Sequence, residues 1–373
     1  MTNPADDLNI YLSEARASIG RAGAGAIVIG NEAADLDSMV SAILYGQLAS
    51  ACRAPGAPPV VPVVNSPRGD FALRTEAVYL FAELGLDVDA LIFIDEIDLE
   101  RLHRAGRLRL TLVDHNVLSV DQAKYADAVE AIIDHHRDSG LCPHGKPRTI
   151  EPVGSAASLV AEAMLRDRPA LIDAGSATLL LGTILLDTVN LDPAADRVTA
   201  KDRAVAARLS ELAGSDAGDL FARLEAKKYN VSALGTGDLL RKDYKAWDTP
   251  SGRYGMSSVL TSLQDWTAKD PDLVAGLDAF LRSRGLVCLV VMMAYSDAGG
   301  EFHRELAVHA PDSELAAGLT AMLKASDLAL SRLRPAALTD PGQVVFLTLG
   351  DRTISRKKLQ PVLHRFFCGQ GSG

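Results

Sequence analysis

Four acid-rich clusters mark a sequence of 373 residues: Asp35-Leu36-Asp37, Asp114-His115-Asn116, Asp134-His135-His136, and Asp187 within Leu185-Leu186-Asp187-Thr188. Each follows an apolar run. A single aspartate in such a place usually caps the next helix, accepting a hydrogen bond from its first free N–H groups. Four together require another account. At one edge of a sheet, so many carboxylates repel one another and resist desolvation unless cations neutralise them. Carboxylate oxygens mixed with one or two imidazoles suit Mg²⁺, Mn²⁺ or Co²⁺ better than thiolate-preferring metals. Asp35 and Asp37, two apart in a loop, could reach adjacent ions, and Asp114 could bridge them. Two ions roughly 3.5–4 Å apart can hold a hydroxide nucleophile and stabilise an in-line displacement at phosphorus. The clusters therefore predict a two-metal phosphohydrolase.

The elements that must position these residues are legible as alternating patterns. Short apolar, β-rich runs at residues 26–29, 60–64, 91–94, 110–113 and 131–133 read as strands, with helical patterns at 38–48, 71–84 and 158–165. Strands alternating with helices predict an α/β domain, a doubly wound and mainly parallel sheet covered on both faces. Such sheets place ligands beyond the carboxyl ends of their strands. A helical pattern at 200–213 closes this first domain, expected at residues 1–213. Residues 214–245 read as a connector, charged and helical from 219. Residues 246–373 predict a smaller α+β domain, with strands at 254–260, 286–294 and 343–349 and helices at 272–281 and 313–330.

Asp134-His135-His136 is the triplet that names the DHH phosphoesterases, and the other clusters follow in the order that family uses. Gly30-Asn31-Glu32-Ala33-Ala34-Asp35-Leu36-Asp37-Ser38 resembles the first motif of the exopolyphosphatase and prune branch. So do Pro67-Arg68-Gly69-Asp70-Phe71, Phe93-Ile94-Asp95-Glu96, Val113-Asp114-His115-Asn116 and Glu151-Pro152-Val153-Gly154-Ser155. Leu240-Arg241-Lys242-Asp243 and Ser355-Arg356-Lys357-Lys358 resemble the DHHA2-type accessory domain of this branch and of family II inorganic pyrophosphatases. The resemblance runs from about residue 25 to about residue 365.

The resemblance implies roles position by position. Asp35, Asp37, Asp114, His135 and Asp187 match metal ligands, with Asp114 the bridging carboxylate. His136 matches a residue that contacts the substrate phosphate. Arg356 and Lys357 match cationic residues of the accessory domain that close over the phosphates, and Lys228 matches a further phosphate contact. Asn31 stands where family II pyrophosphatases have histidine. As a ligand it would shift the first metal position from Mn²⁺ towards Mg²⁺; the alternative is a neighbour with no direct metal bond. The cofactors expected are two divalent cations, Mg²⁺ first, with Mn²⁺ or Co²⁺ as alternatives.

The activity this implies is an exopolyphosphatase, removing terminal orthophosphate from linear inorganic polyphosphate. Alternatives of the same chemistry are a prune-like cyclic-nucleotide phosphodiesterase, a short-chain polyphosphatase and a pyrophosphatase. From other classes come a silent polyphosphate-binding or scaffold protein and an exonuclease on short oligonucleotides. Acids outnumber bases 48 to 38, for a net charge of −10, and aromatics make up 5%. That balance argues against nucleic acid as a partner. It leaves room for a small anion, because metal ions and a few arginines reverse the local field.

Cys52, Cys142, Cys288 and Cys368 have no metal-type spacing and suit a reducing compartment. The start has no basic segment followed by an apolar one. The longest apolar run, at 286–295, is about half of the ~20 residues needed to cross a bilayer. The expectation is a cytoplasmic protein without a membrane partner. Gly20, Gly23 and Gly25 precede the first strand and so miss the dinucleotide fingerprint. His115 reads as a neighbour of the metal site or a bonded loop residue, and Asp95 as structural or functional in equal measure. His103, His144, His303, His309 and His364 read as surface or packing residues. Arg68, Arg137 and Arg304 could add charge to a polyanion groove, though single arginines are more often salt-bridge partners.

Overall fold

Short runs of Ile, Val and Leu become strands here because both faces of the first sheet are covered. The computed structural model describes residues 5–19, 25–143, 145–326, 330–333 and 344–369; Gly20, Gly23, His144 and Gln343 lie outside them. The chain forms two units, Met1–Tyr229 and Asn230–Gly373, taken in turn. The first carries α1 (Asp6–Ser18), β1 (Ala26–Ile29), α2 (Leu36–Ala51), β2 (Val61–Val64), α3 (Thr75–Leu84), β3 (Ile92–Phe93), α4 (Leu99–Arg104), β4 (Arg109–Val113) and β5 (Val129–Asp134). It continues with β6 (Arg148–Ile150), α5 (Ala156–Asp167), α6 (Ala174–Asp187), α7 (Ala200–Ala213) and α8 (Ala217–Tyr229).

The strand order is β3-β2-β1-β4-β5-β6, and every pairing is parallel. From β1 the chain runs outward through β2 to β3, then crosses back to lay β4 on the other side. Parallel strands end on one edge, so Gly30, Asp114 and the end of β5 at Asp134 come out together at this switch point. Ile29 pairs with Leu112 and Val113 with Ile133, which sets that alignment. The fold is the α/β sheet that the alternating pattern predicts.

Three local readings change. The pattern at 71–84 is a 3₁₀ turn at Arg68–Leu73 followed by α3, with Arg74 between them outside helical geometry. The run at 91–94 contributes only Ile92 and Phe93 to the sheet. Asp187 is the last residue of helix α6 and not a strand end. That helix buries Leu179, Leu180, Leu181, Ile184 and Leu185 among its neighbours, so it has no polar face to reveal its period. Helix α1, which no pattern announced, buries Leu8, Leu12 and Ala15. Its Tyr11 hydroxyl donates to the Val60 carbonyl at 2.8 Å.

The second unit contains α9 (Thr236–Lys242), β7 (Tyr244–Thr249), β8 (Gly252–Val259), α10 (Leu263–Lys269), α11 (Leu273–Ser283), β9 (Cys288–Ser296), β10 (Phe302–His309), α12 (Ser313–Ala325), β11 (Leu330–Arg332), β12 (Val344–Leu349) and α13 (Arg356–Phe367). Its sheet runs β11-β12-β10-β9-β8-β7, antiparallel except for the β8–β9 pair. Alternation along β9 explains its unbroken apolar run. Leu289, Val291 and Met293 join Leu273, Leu277 and Trp266 on one face. Val290 and Met292 join Leu319, Leu359 and Leu363 on the other. Of the expected connector at 214–245, α8 packs on α3 and α6 of the first unit, and α9 packs on β8 and α11 of the second. Among the described residues no helix is long and apolar enough to cross a membrane.

Candidate metal centre

Gly30 begins the site. A Cβ there would lie 2.1 Å from Ser38 Oγ and 2.9 Å from its carbonyl oxygen, so only glycine lets the end of β1 approach the first turn of α2. Asp35 caps α2, accepting from Ser38 N at 3.1 Å. Asp37, in the first turn, is 3% exposed. Its oxygens accept from Ala156 N and Ala157 N of α5 at 2.7 and 2.8 Å, and from Ser41 Oγ at 3.1 Å. The capping role expected of a lone aspartate is thus present in both, within a cluster that capping alone does not account for.

Asp114 follows β4 with φ of 61°, in the left-handed region that aspartate tolerates better than most side chains. Its carboxylate meets Nε2 of His135 at 3.2 Å. His135 Nδ1 donates to the Val153 carbonyl at 3.0 Å, which turns Nε2 towards Asp114 and towards Asp37 Oδ2 at 3.9 Å. Asp134, fully buried, holds the turn of the triplet. One of its oxygens accepts from the backbone N–H groups of His135 and His136 and from His136 Nδ1 at 2.8 Å, the other from Asn116 Nδ2. Asp187 reaches the same cavity from the end of α6. That cavity is about 780 Å³ and is lined by Asp35, Asp37, Asp114, His135, His136 and Asp187.

The electrostatics are those of a site short of positive charge. Burial, joined by repulsion from neighbouring aspartates, raises Asp37 and Asp187 above the usual carboxylate range and pushes Asp114 up to about 8. Burial opposes a charge on His135, yet its bond to Asp114 and the nearby Asp37 push it up to about 10. Asp134 goes the other way despite burial, because the His136 and Asn116 bonds favour its charged form. Asp187 Oδ2 is buried without a hydrogen-bond partner. Buried polar atoms are nearly always satisfied, so an orphaned carboxylate oxygen amid three further aspartates fits a divalent cation.

Asn31 is placed differently from a ligand that offers its oxygen. Its Oδ1 accepts from Ala33 N and Ala34 N at 2.8 and 3.2 Å, while Nδ2 donates to the Asp114 carboxylate. His115 donates from Nδ1 to the Val113 carbonyl at 2.9 Å, with Nε2 buried and unpartnered. Lys228 does not line the acid cavity; it lines a neighbouring one of about 360 Å³. Arg356 and Lys357 lie in the second unit, at the start of α13, where Arg356 pairs with Asp243 at 2.7 Å. Asp95 accepts from Arg68 N, and the Arg68 guanidinium is held by Glu96 at 2.6 and 2.9 Å. His103 and His303 bond to Asp127 and Asp297.

Sequence reading missed the arm after Asp187. Helix α6 ends with Asn190 N donating to the Leu185 carbonyl at 2.7 Å, a closure that places the intervening Val189 in left-handed geometry. Val189, Asn190 and Leu191 have φ of 51°, 57° and 59°, with Asp196 at 51°. Left-handed backbone costs a residue with a side chain roughly 1–2 kcal/mol, and a β-branched valine is among the least suited. The arm is held at its far end by the fully buried Asp202, which accepts from Gly154 N, Ser158 Oγ and Thr199 N. A Cβ on Gly154 would lie 2.4 Å from Thr188 and 3.0 Å from the Arg197 carbonyl oxygen. The arm brings Arg197 to the cavity wall, and α7 brings Arg203. The usable signal was the capping box Thr199-Ala200-Lys201-Asp202, which marks where the arm is pinned.

Comparison with known proteins follows the two units. Residues 26–184 match the DHH family, N-terminal domain, and residues 222–366 match the DHHA2 domain. The chain is 36% identical to exopolyphosphatase PRUNE1 of Bos taurus over 95% of its own length and 78% of that protein. Identity to exopolyphosphatase PRUNE1 of Homo sapiens is 35% over the same shares. A manganese-dependent inorganic pyrophosphatase of Methanothrix thermoacetophila is 28% identical over 71% of this chain and 80% of that protein.

Proposed function

The chain belongs to the DHH family, with a DHHA2 domain after its DHH domain, and we propose that it is an exopolyphosphatase. Its substrate in this reading is linear inorganic polyphosphate, shortened from the end one orthophosphate at a time. The observation that carries the reading is the set of buried Asp37 and Asp114 with half-buried Asp187, whose Oδ2 is buried and unpartnered, beside His135. Asp35, Asp37, Asp114, His135 and Asp187 would hold two divalent cations, Mg²⁺ in the first place and Mn²⁺ or Co²⁺ as alternatives. When bound, such cations lower the pKa of water and neutralise charge at phosphorus.

The chain's own residues then have separate tasks. Asn31 orients Asp114 through Nδ2 and leaves no oxygen free for a metal. Asp134 fixes the ring of His136 through Nδ1, so that this imidazole is held ready for a phosphate oxygen. On the family match we assign phosphate contacts also to Arg356, Lys357 and Lys228. Free cysteines at all four positions agree with a cytoplasmic location.

The test is orthophosphate release with Mg²⁺, and separately with Mn²⁺, from pyrophosphate, tripolyphosphate, a long polyphosphate and cyclic AMP. Release should increase with chain length. In Asp114→Ala it should fall on the order of a thousandfold, the scale of losing a preorganised charge-stabilising group, with the circular dichroism spectrum kept. Turnover of cyclic AMP alone, or near-normal release by the variant, would overturn the reading.

A further inference from the structure

The acid cavity has a second, cationic side whose residues no metal role uses. Arg197 and Arg203 line it, and both are exposed. Arg203 donates to the Leu191 carbonyl at 3.1 Å, and among the described residues no carboxylate is paired with either guanidinium. Other arginines of this unit do have such a partner, as Arg68 does in Glu96 and Arg223 in Glu83 and Asp219. Two unpaired guanidiniums facing an acidic cavity suggest an anion brought from outside.

Arg197 also lines the 360 Å³ cavity, together with Leu186, Val189 and Lys228. The two cavities thus share one arginine, and Asp187 lines one while its near neighbours Leu186 and Val189 line the other. The arm that carries Arg197 stays in unfavourable left-handed backbone and is pinned through Asp202, so its position is built rather than incidental. Asp196 and Glu225 also line these cavities, so the cations of the path must outweigh their repulsion of an anion.

We propose that Arg203, Arg197 and the neighbouring cavity form a track for the phosphates behind the terminal one, so that this arm sets chain-length preference. The proposal rests on the polyphosphate reading above and adds a residue-level source for its selectivity. The last two phosphates sit among the acids and their cations, the one behind them meets Arg203 and Arg197, and later ones run towards Lys228. Orthophosphate and simple monoesters never reach the track.

Two readouts test it. In steady state, Arg197→Ala should raise KM for long polyphosphate about tenfold, the loss of one charge-assisted contact. It should leave kcat within about twofold and pyrophosphate hydrolysis nearly unchanged. Arg197→Lys should restore part of the loss, and Arg203→Ala should repeat it. In binding, long polyphosphate is titrated with Mg²⁺ into Asp114→Ala protein, with and without Arg197→Ala. Affinity should fall about tenfold, and the slope of log affinity against log salt should flatten by about one for the charge removed. Equal losses at every chain length, or none, refute the track while leaving the exopolyphosphatase reading intact. Length-dependent binding that needs Arg197, in a protein whose wild type releases no phosphate, keeps the track and ends that reading.

Discussion

Among the described residues, two groups of acids and histidines bring their ligand atoms within 4.8 Å of one another: Asp114, Asp134, His135 and His136 in the first unit, and Asp297, Glu301 and His303 in the second. Distance alone does not separate them. The second group sits on the exposed turn between β9 and β10, and every member is occupied. Asp297 accepts from Gly299 N and Glu301 N and pairs with His303 at 2.9 Å, while Glu301 pairs with Arg352 at 2.6 Å. Those bonds, His303 first, hold Asp297 below the usual carboxylate range. In the first group both aspartates are buried and three more aspartates adjoin them; Asp114 is pushed upward, as are the adjoining Asp37 and Asp187, while the His136 and Asn116 bonds hold Asp134 down. Spare charge in a desolvated place, rather than proximity, distinguishes a cation site from a surface network.

The comparison breaks most visibly at Asp187. Asp187→Asn should reduce phosphate release on the order of a thousandfold, yet raise the melting temperature of the metal-free protein by roughly 2–4 °C, because repulsion from Asp37, Asp35 and Asp114 is relieved. Opposite signs of the two effects mark a ligand; loss of both activity and stability would mark a structural carboxylate.

A smaller effect separates the groups by pH. Without cations, folded Asp114 keeps its proton from an ordinary 3.8 up to about 8, and His135 from 6.5 up to about 10. The unfolded chain releases those protons earlier, so the native state binds more of them throughout the interval. Stability of the metal-free protein should therefore fall as pH rises from about 4 towards 8. Divalent cation should stabilise more at pH 8 than at pH 5, releasing protons as it binds. Melting curves in chelator and in Mg²⁺ check both, and a metal-free melting point that climbs over that range would contradict the account. The smallest effect belongs to the other group. Asp297→Ala and His303→Ala should leave phosphate release and its metal dependence within about twofold, as for surface substitutions elsewhere.

How far the site was readable follows from where each residue sits. Asp35, Asp37, Asp114 and the triplet stand just past short apolar strands, and a local pattern suffices to find them. Asp187 was found as an acid but given the wrong support, because α6 is apolar on all sides and loses its helical signature. Arg197 and Arg203 carry no local signal at all; only a folded arm makes them neighbours of Asp114. The same holds for strand β10. Its residues 302–305 are polar or partly exposed, and the strand is recognisable only from its pairing with β9 and β12. Five of the six parallel strands were legible, since crossover helices force a covered strand into a continuous apolar run; the half-buried edge strand β6, Arg148–Ile150, has no such run and was missed. The mixed sheet was legible only where both of its faces are covered.

The left-handed turn at Val189–Leu191 has one more consequence, for anyone who selects improved versions of this protein. Glycine at the exposed Val189 relieves the backbone, so a heat-challenge screen will enrich it. The survivors will be sturdier and their arm looser, and a library ranked by heat resistance alone will drift away from discrimination between long and short substrates. Pairing heat selection with a long-chain assay keeps both properties in view.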